Sequence, residues 1–162
     1  MPPHKTVSLN NAGHPIIRVR VWGISDQFGQ EFDALLDTGF TGFMMLPLTA
    51  ALPLGLTLIS TSAYTLADGS STFSLLALGT VDYEGQQIFG PISLELNANC
   101  KDVLVGMEFI KQGKLMLLLH SSGAALVDLV ALEQAVGSNL TTTPNPEPDI
   151  PQEPPIPPPP AN

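Results

Sequence analysis

From Ile16 to Trp22 the chain sets Ile17, Val19 and Val21 on one parity and Arg18 and Arg20 on the other. Only an extended strand turns a period of two into one dry face and one wet face. The same pattern, rich in β-branched and aromatic residues and broken by short turn signals, recurs along most of the sequence and predicts an all-β domain. The stretch "GISDQFGQ" turns the chain into a second strand, Glu31 to Leu36, and Phe43 to Leu46 reads as a short buried strand. "PLTAALPLG" is one helical turn or a loop, ended by Pro53 and Gly55. A long hairpin follows, with arms Thr57 to Leu66 and Thr72 to Val81. Its tip, "ADGS", holds Gly69, which supplies the positive φ of a tight turn. "DYEGQQ" then turns into a strand from Ile88 to Leu96. Met107 to Gln112 suits a short helix closed by Gly113, and Leu115 to Leu119 is a strand. After "HSSG" the pattern fits either a hairpin returning through Ala124 to Leu129 or a helix up to Gly137, and the hairpin is preferred.

At 162 residues with 44% hydrophobic content the chain can bury one core. From Thr141 the composition changes to "TTTPNPEPDIPQEPPIPPPPAN", which lacks both apolar content and amide donors. Three regions are expected: a flexible segment over 1–13, a domain over 14–136 and a disordered Pro-rich tail over 137–162. The tail reads as an unbound spacer, with polyproline docking to a partner's aromatic-lined groove as the alternative. A net charge of -9 with only 6 Lys plus Arg argues against nucleic acid and against anionic membrane. No apolar run approaches the roughly 18 residues of a membrane helix. A single cysteine, Cys100, and the lack of a signal-like start favour a reducing, cytoplasmic setting.

The chemistry concentrates in "DALLDTGFTGFMMLP", Asp33 to Pro47, where Asp37, Thr38 and Gly39 stand in succession between two apolar runs. A strand end followed by Thr-Gly fixes a carboxylate on a hydrogen-bonded loop. Leu35, Leu36 and Phe43 to Leu46 would sink both flanks into the core and hold it to about 0.5 Å. The remaining polar residues point elsewhere. His4, His14 and His120 lack companions at ligand spacing, so neither metal nor other cofactor is expected. Cys100 reads as an inert thiol. The "NLT" at Asn139 has no secretory context. Trp22 and the phenylalanines at 28, 32, 40 and 43 read as packing.

With these residues in view, the chain resembles the single-domain, retropepsin-like aspartic proteases, and in particular their small prokaryotic members. "LLDTG" matches the active-site motif, "YTLADGSSTFSL" the glycine-bearing flap, and "VLVGMEFIKQGKLMLLL" the late apolar-Gly element with its helix. All three occur in the family's order over roughly Ile16 to Leu119. The resemblance implies a single-lobe closed β-barrel with one short helix and a flap hairpin. It also places Val105 and Gly106 as the structural support of the Asp loop. Retroviral members usually carry Ala after Asp-Thr-Gly, an acid shortly behind it, and an Arg after the late Gly that pairs with that acid across the dimer. Phe40, Thr41 and Met107 stand in those places, so both ends of the ion pair are missing together.

Carboxylate-driven peptide hydrolysis needs two acids about 3 Å apart, sharing one proton. This chain offers one suited to the task, because Asp68, Asp82, Glu84 and Asp102 sit in a tip, turns or loops. The resemblance therefore implies a homodimer in which Asp37 meets its twin across a twofold axis. Thr38 would lock the two loops together, and Gly39 would let the backbone turn. The flap residues Leu66, Ala67, Asp68, Gly69 and Ser70 would close over an extended peptide or protein substrate. Two other readings compete. One is a catalytically idle dimer that binds partners through its groove and tail; the other is an unrelated all-β module in which Asp37 merely caps a turn.

Overall fold

A computed structural model of the protein describes residues 4–65, 69, 71–120 and 123–140. The tail reading over 141–162 lies outside the described residues. Eleven strands and three helices follow one another along the described chain. Two short strands, β1 (His4–Lys5) and β2 (Ser8–Leu9), precede the alternating strand β3 (Pro15–Trp22), whose Ile17, Val19 and Val21 are buried while Arg18 and Arg20 face water. A 3-10 turn at Asp26–Phe28 leads into β4 (Gln30–Leu36), and β5 (Met44–Pro47) follows. Helix α1 (Leu48–Ala51) runs into a second 3-10 turn, Leu52–Leu54, which ends at a left-handed Gly55. The long hairpin consists of β6 (Thr57–Thr65) and β7 (Ser71–Tyr83), and β8 (Gln86–Glu95) returns beside β7. Next come β9 (Leu104–Val105) and α2 (Met107–Gln112). Strands β10 (Leu115–His120) and β11 (Gly123–Asp128) and helix α3 (Leu129–Leu140) complete the described chain.

Eight of the strands form one sheet in the order β2-β3-β4-β9-β5-β8-β7-β6. A further pairing of β3 with β7, Arg20 opposite Asp82 and Trp22 opposite Thr80, closes six of them into a barrel. The closed barrel expected from the sequence is thus present. Its interior is filled by alternate residues of every wall strand, among them Val19, Met44, Val81, Ile92 and Val105. Phe109 of α2 plugs one end. Its ring lies 5.6 Å from that of Phe43 and 6.4 Å from that of Tyr83, both tilted as aromatic quadrupoles prefer.

The stretch after "HSSG" resolves into both readings in turn: the hairpin β10–β11 forms, and the chain becomes helical at Leu129. Asp128 caps that helix, accepting from the amides of Val130 and Ala131. Helix α3 reaches Leu140, four residues past the boundary placed at 136. Gly113 does close α2, but with a right-handed backbone; the positive φ falls on Lys114, at 49°.

The first dozen residues need correction. They were expected to lack structure, yet β1 pairs with β11, His4 opposite Val127, and β2 pairs with β3. Side chains hold this start of the chain to the barrel. The buried Lys5 donates from Nζ to the Tyr83 carbonyl (3.2 Å) and to Gln86 Oε1 (2.8 Å), and its ammonium lies 5.3 Å from the Tyr83 ring centroid. Burial pushes that ammonium below its ordinary value, against the pull of Asp128, Glu84 and Asp82. The Tyr83 hydroxyl donates to the Thr6 carbonyl at 2.6 Å. Partners nearly eighty positions apart leave no periodic trace in a sequence.

Tyr83 also makes a pH prediction. Burial, then Glu84, holds its phenol above the ordinary value of 10.0. An acid whose folded value is raised contributes stability that is complete below the unfolded value and is lost as pH climbs past it. Tyr83→Phe is expected to cost about 1 kcal/mol at neutral pH through the missing bond to Thr6. The variant should then lose stability less steeply than the parent above pH 10, as read by denaturant unfolding followed by circular dichroism. An alkaline slope equal to the parent's would refute the assignment.

Candidate active site

Asp37 follows directly on β4. Its flanks are anchored as the sequence suggests, with Leu36 buried before it and Phe43 and Met44 buried after it. What holds the loop between them is β9. This two-residue strand runs parallel to β4, with Leu36 opposite Val105, and antiparallel to β5, with Val105 opposite Met44. The Asp37 loop therefore straddles β9 as two arms straddle a stem. The Asp37 amide donates to the Val105 carbonyl (2.9 Å), and the Gly106 amide donates to the Phe43 carbonyl (3.1 Å).

The first amides of α2, which have no partner within their helix, are taken up by the same loop. Met107 donates to the Phe40 carbonyl at 2.9 Å and Glu108 to the Gly42 carbonyl at 3.2 Å. These bonds join the loop to the helix through main chain alone. A Cβ on Gly106 would lie 2.2 Å from the Gly42 carbonyl oxygen, 2.4 Å from that of Phe40 and 2.6 Å from the Phe40 ring. Glycine is required there by contact, since its φ of -109° is open to any residue.

Within the loop, Asp37 Oδ1 accepts from the Gly39 amide at 2.8 Å, and the Asp37 carbonyl accepts from Phe40 at 3.2 Å. The carboxylate is pinned by its own backbone two residues on. Gly39 was expected to ease the backbone around a turn. Its φ is not left-handed, and the closest neighbour of an added Cβ is Asp37 Oδ1 at 3.2 Å. Its small size leaves room for the carboxylate. Asp37 is half-buried, while Thr38 and Gly39 are exposed in the single chain.

Asp37 and Thr38 open on a cavity of about 310 Å³ whose other lining residues are His14, Pro15, Leu35, Leu36, Leu117 and Leu119. Sequence reasoning missed His14, just before β3, Pro15 at its start, and Leu117 and Leu119 from β10. The available signal was the uninterrupted apolar run "LMLLL", which fails to alternate as a strand wetted on one side should. Asp37 is the one acid among these lining residues. Other acids of the described chain are engaged elsewhere: Asp82 accepts from the Gly85 amide at 3.0 Å, and Asp33 pairs with Arg18 at 2.9 Å. Among the described residues no three His, Cys, Asp or Glu gather as a metal site, and no helix is long and apolar enough to cross a membrane.

Of the flap residues, Gly69 has the expected positive φ, 82°, with open space around it. Past a register shift between Leu58 and Ser60, the arms pair continuously from Ser60 opposite Leu76 to Thr65 opposite Ser71. Leu66, Ala67, Asp68 and Ser70 lie outside the described residues.

No family model matches this sequence, and no curated protein matches it. Among solved structures the chain is similar to EIAV protease complexed with the inhibitor HBY-793, at 16% identity and a TM-score of 0.53. The match covers 70% of this chain and all of that one. The fold is retropepsin-like: a single-lobe closed barrel with few short helices.

The two glycines separate fold from site. Gly106→Ala drives a methyl group into two carbonyls of the loop and is expected to destabilise the protein by at least about 2 kcal/mol. Gly39→Ala, with a carboxylate oxygen as its nearest neighbour, is expected to cost less than about 1 kcal/mol. Urea unfolding of the two variants beside the parent checks this order, and equal losses would contradict it.

Proposed function

We propose that the protein is an aspartic endopeptidase that works as a homodimer. In this reading Asp37 of each chain faces its twin across a twofold axis, and the two carboxylates, about 3 Å apart, hold one proton between them. The ionised member draws a proton from a water molecule. The protonated member donates to the carbonyl oxygen of the peptide bond as that water attacks its carbon. The tetrahedral centre then collapses with proton transfer to the amide nitrogen, and the C–N bond breaks. Thr38, exposed in the single chain, bonds across the axis beneath the carboxylates in this reading. The hairpin of β6 and β7 closes over the substrate, pairs with its backbone as a strand and excludes water from the pair. The substrate class is an extended peptide or an unstructured segment of a protein.

One observation carries the reading. A carboxylate fixed by the Gly39 amide, on a residue whose own backbone amide is held by the Val105 carbonyl, stands at the mouth of a cavity whose other walls are mostly apolar. A turn cap needs neither the stem nor the cavity.

The test is to incubate the purified chain with an unstructured polypeptide from acidic to neutral pH, beside Asp37→Asn. The parent is expected to cleave, and the variant to cleave about 10²–10⁴-fold more slowly. Fragments released equally by both would remove Asp37 from the mechanism. Release by neither would leave a peptide-binding dimer as the better description.

A further inference from the structure

We propose that the cavity between α2 and α3 is a binding site for an acidic, proline-rich segment, and that the segment it takes is the chain's own, residues 147–156. This inference does not depend on the reading of Asp37. The cavity, about 550 Å³, lies where α2 gives way to β10 and where α3 begins, with the Leu129 amide donating to the Lys114 carbonyl at 3.0 Å. Ile110, Leu115, Leu129 and Val130 give it apolar walls. Its charged lining is Lys111, Lys114 and Glu133, so cations outnumber acids here on a chain whose net charge is -9. Lys5, Arg18 and Arg20 are committed to Tyr83, Asp33 and Asp26. Lys111 and Lys114 have no ion-pair partner among the described residues. Val130 and Val136, 39% and 51% exposed, leave apolar surface uncovered on α3 as well.

The occupant is argued from the sequence that follows α3. Residues 141–162 carry three of the chain's 15 acids and none of its Lys, Arg or His. Prolines at 146, 148, 151, 154 and 155 favour the polyproline helix, which is largely set before binding and so costs little to order. That helix has about three residues per turn. Glu147, Ile150, Glu153 and Ile156 therefore fall on one edge, acid and isoleucine alternating, while Asp149 falls on another. Such an edge matches a cavity with lysines and aliphatic walls. No aromatic ring lines it, so isoleucine suits it better than a stacked proline does.

The reach is sufficient. Leu140 stands about 10 Å along the helix from Glu133, at 1.5 Å per residue, and the seven residues from there to Glu147 span up to about 22 Å in polyproline form. The chain can therefore fold back to the cavity. Docking there would grip one end of α2, whose other end holds the Phe40 and Gly42 carbonyls of the Asp37 loop.

Amide relaxation in the full chain at low salt tests the docking without reference to activity, with mass spectrometry establishing that residues 141–162 are intact. Glu147, Ile150, Glu153 and Ile156 are expected to show order parameters above about 0.6. The values should fall below that in Lys111→Glu/Lys114→Glu, and also at about 1 M salt, where screening shortens to about 3 Å. Glu147→Lys/Glu153→Lys should have the same effect, and the two pairs of reversals combined should restore the order. Asp149→Lys should leave it in place. A cooperative circular dichroism melt establishes that each variant is folded. Low order parameters in the parent, no restoration by the combined reversals, or an Asp149→Lys as disruptive as the Glu147/Glu153 pair would each overturn the proposal. So would order that appears only as concentration rises, since the segment would then belong to another copy.

Discussion

The site depends on a stem two residues long. Strand β9 is bonded in parallel to β4 and in antiparallel to β5, so the segment carrying Asp37 can neither slide nor lift without breaking backbone hydrogen bonds on both flanks. A slip of one residue in either pairing would turn Val105 from a completely buried position toward the opposite face. Position and register are therefore one constraint. The carboxylate inherits its precision from the ladder beneath it, and the side chain adds only the short bond from Gly39.

What could be read in advance follows from how local the cause is. The alternation of β3, the apolar flanks of Asp37, the hairpin arms and the helix at Met107–Gln112 all arise from residues within a few positions of each other, and each lies close to its expected place. The order of the three motifs, through the resemblance, conveyed how the late glycine meets the Asp loop. The start of the chain was illegible, because Lys5, Thr6 and Tyr83 depend on partners that only the folded chain brings together. The β10 wall of the cavity was missed for a similar reason. An apolar strand announces that it will be covered but not what it lies beside.

The two glycines of the site show how one residue type answers two demands. At Gly106 the nearest neighbours are the carbonyls of Gly42 and Phe40, backbone atoms of the loop that are themselves bonded to α2. At Gly39 the neighbour is the end of the Asp37 side chain, which can rotate. Neither position uses the left-handed backbone that usually explains a glycine near a turn. Space is the reason in both, so a substitution at 106 acts on the fold and one at 39 acts on where the carboxylate points.

Loop and helix are joined here without an ion pair. Phe40 sends its ring against Gly42 and Gly106, within 2.5 and 2.6 Å of where their Cβ atoms would be. Its carbonyl meanwhile takes the Met107 amide. Ring packing and main-chain bonds fasten the loop to α2 without the desolvation that a partly buried ion pair would carry. An uncharged clamp also adds no fixed charge beside Asp37. A cation there would favour the ionised form of a nearby carboxylate and oppose the sharing of a proton between two of them. The Phe40 ring and carbonyl and the Met107 amide thus form a clamp that adds no charge beside Asp37.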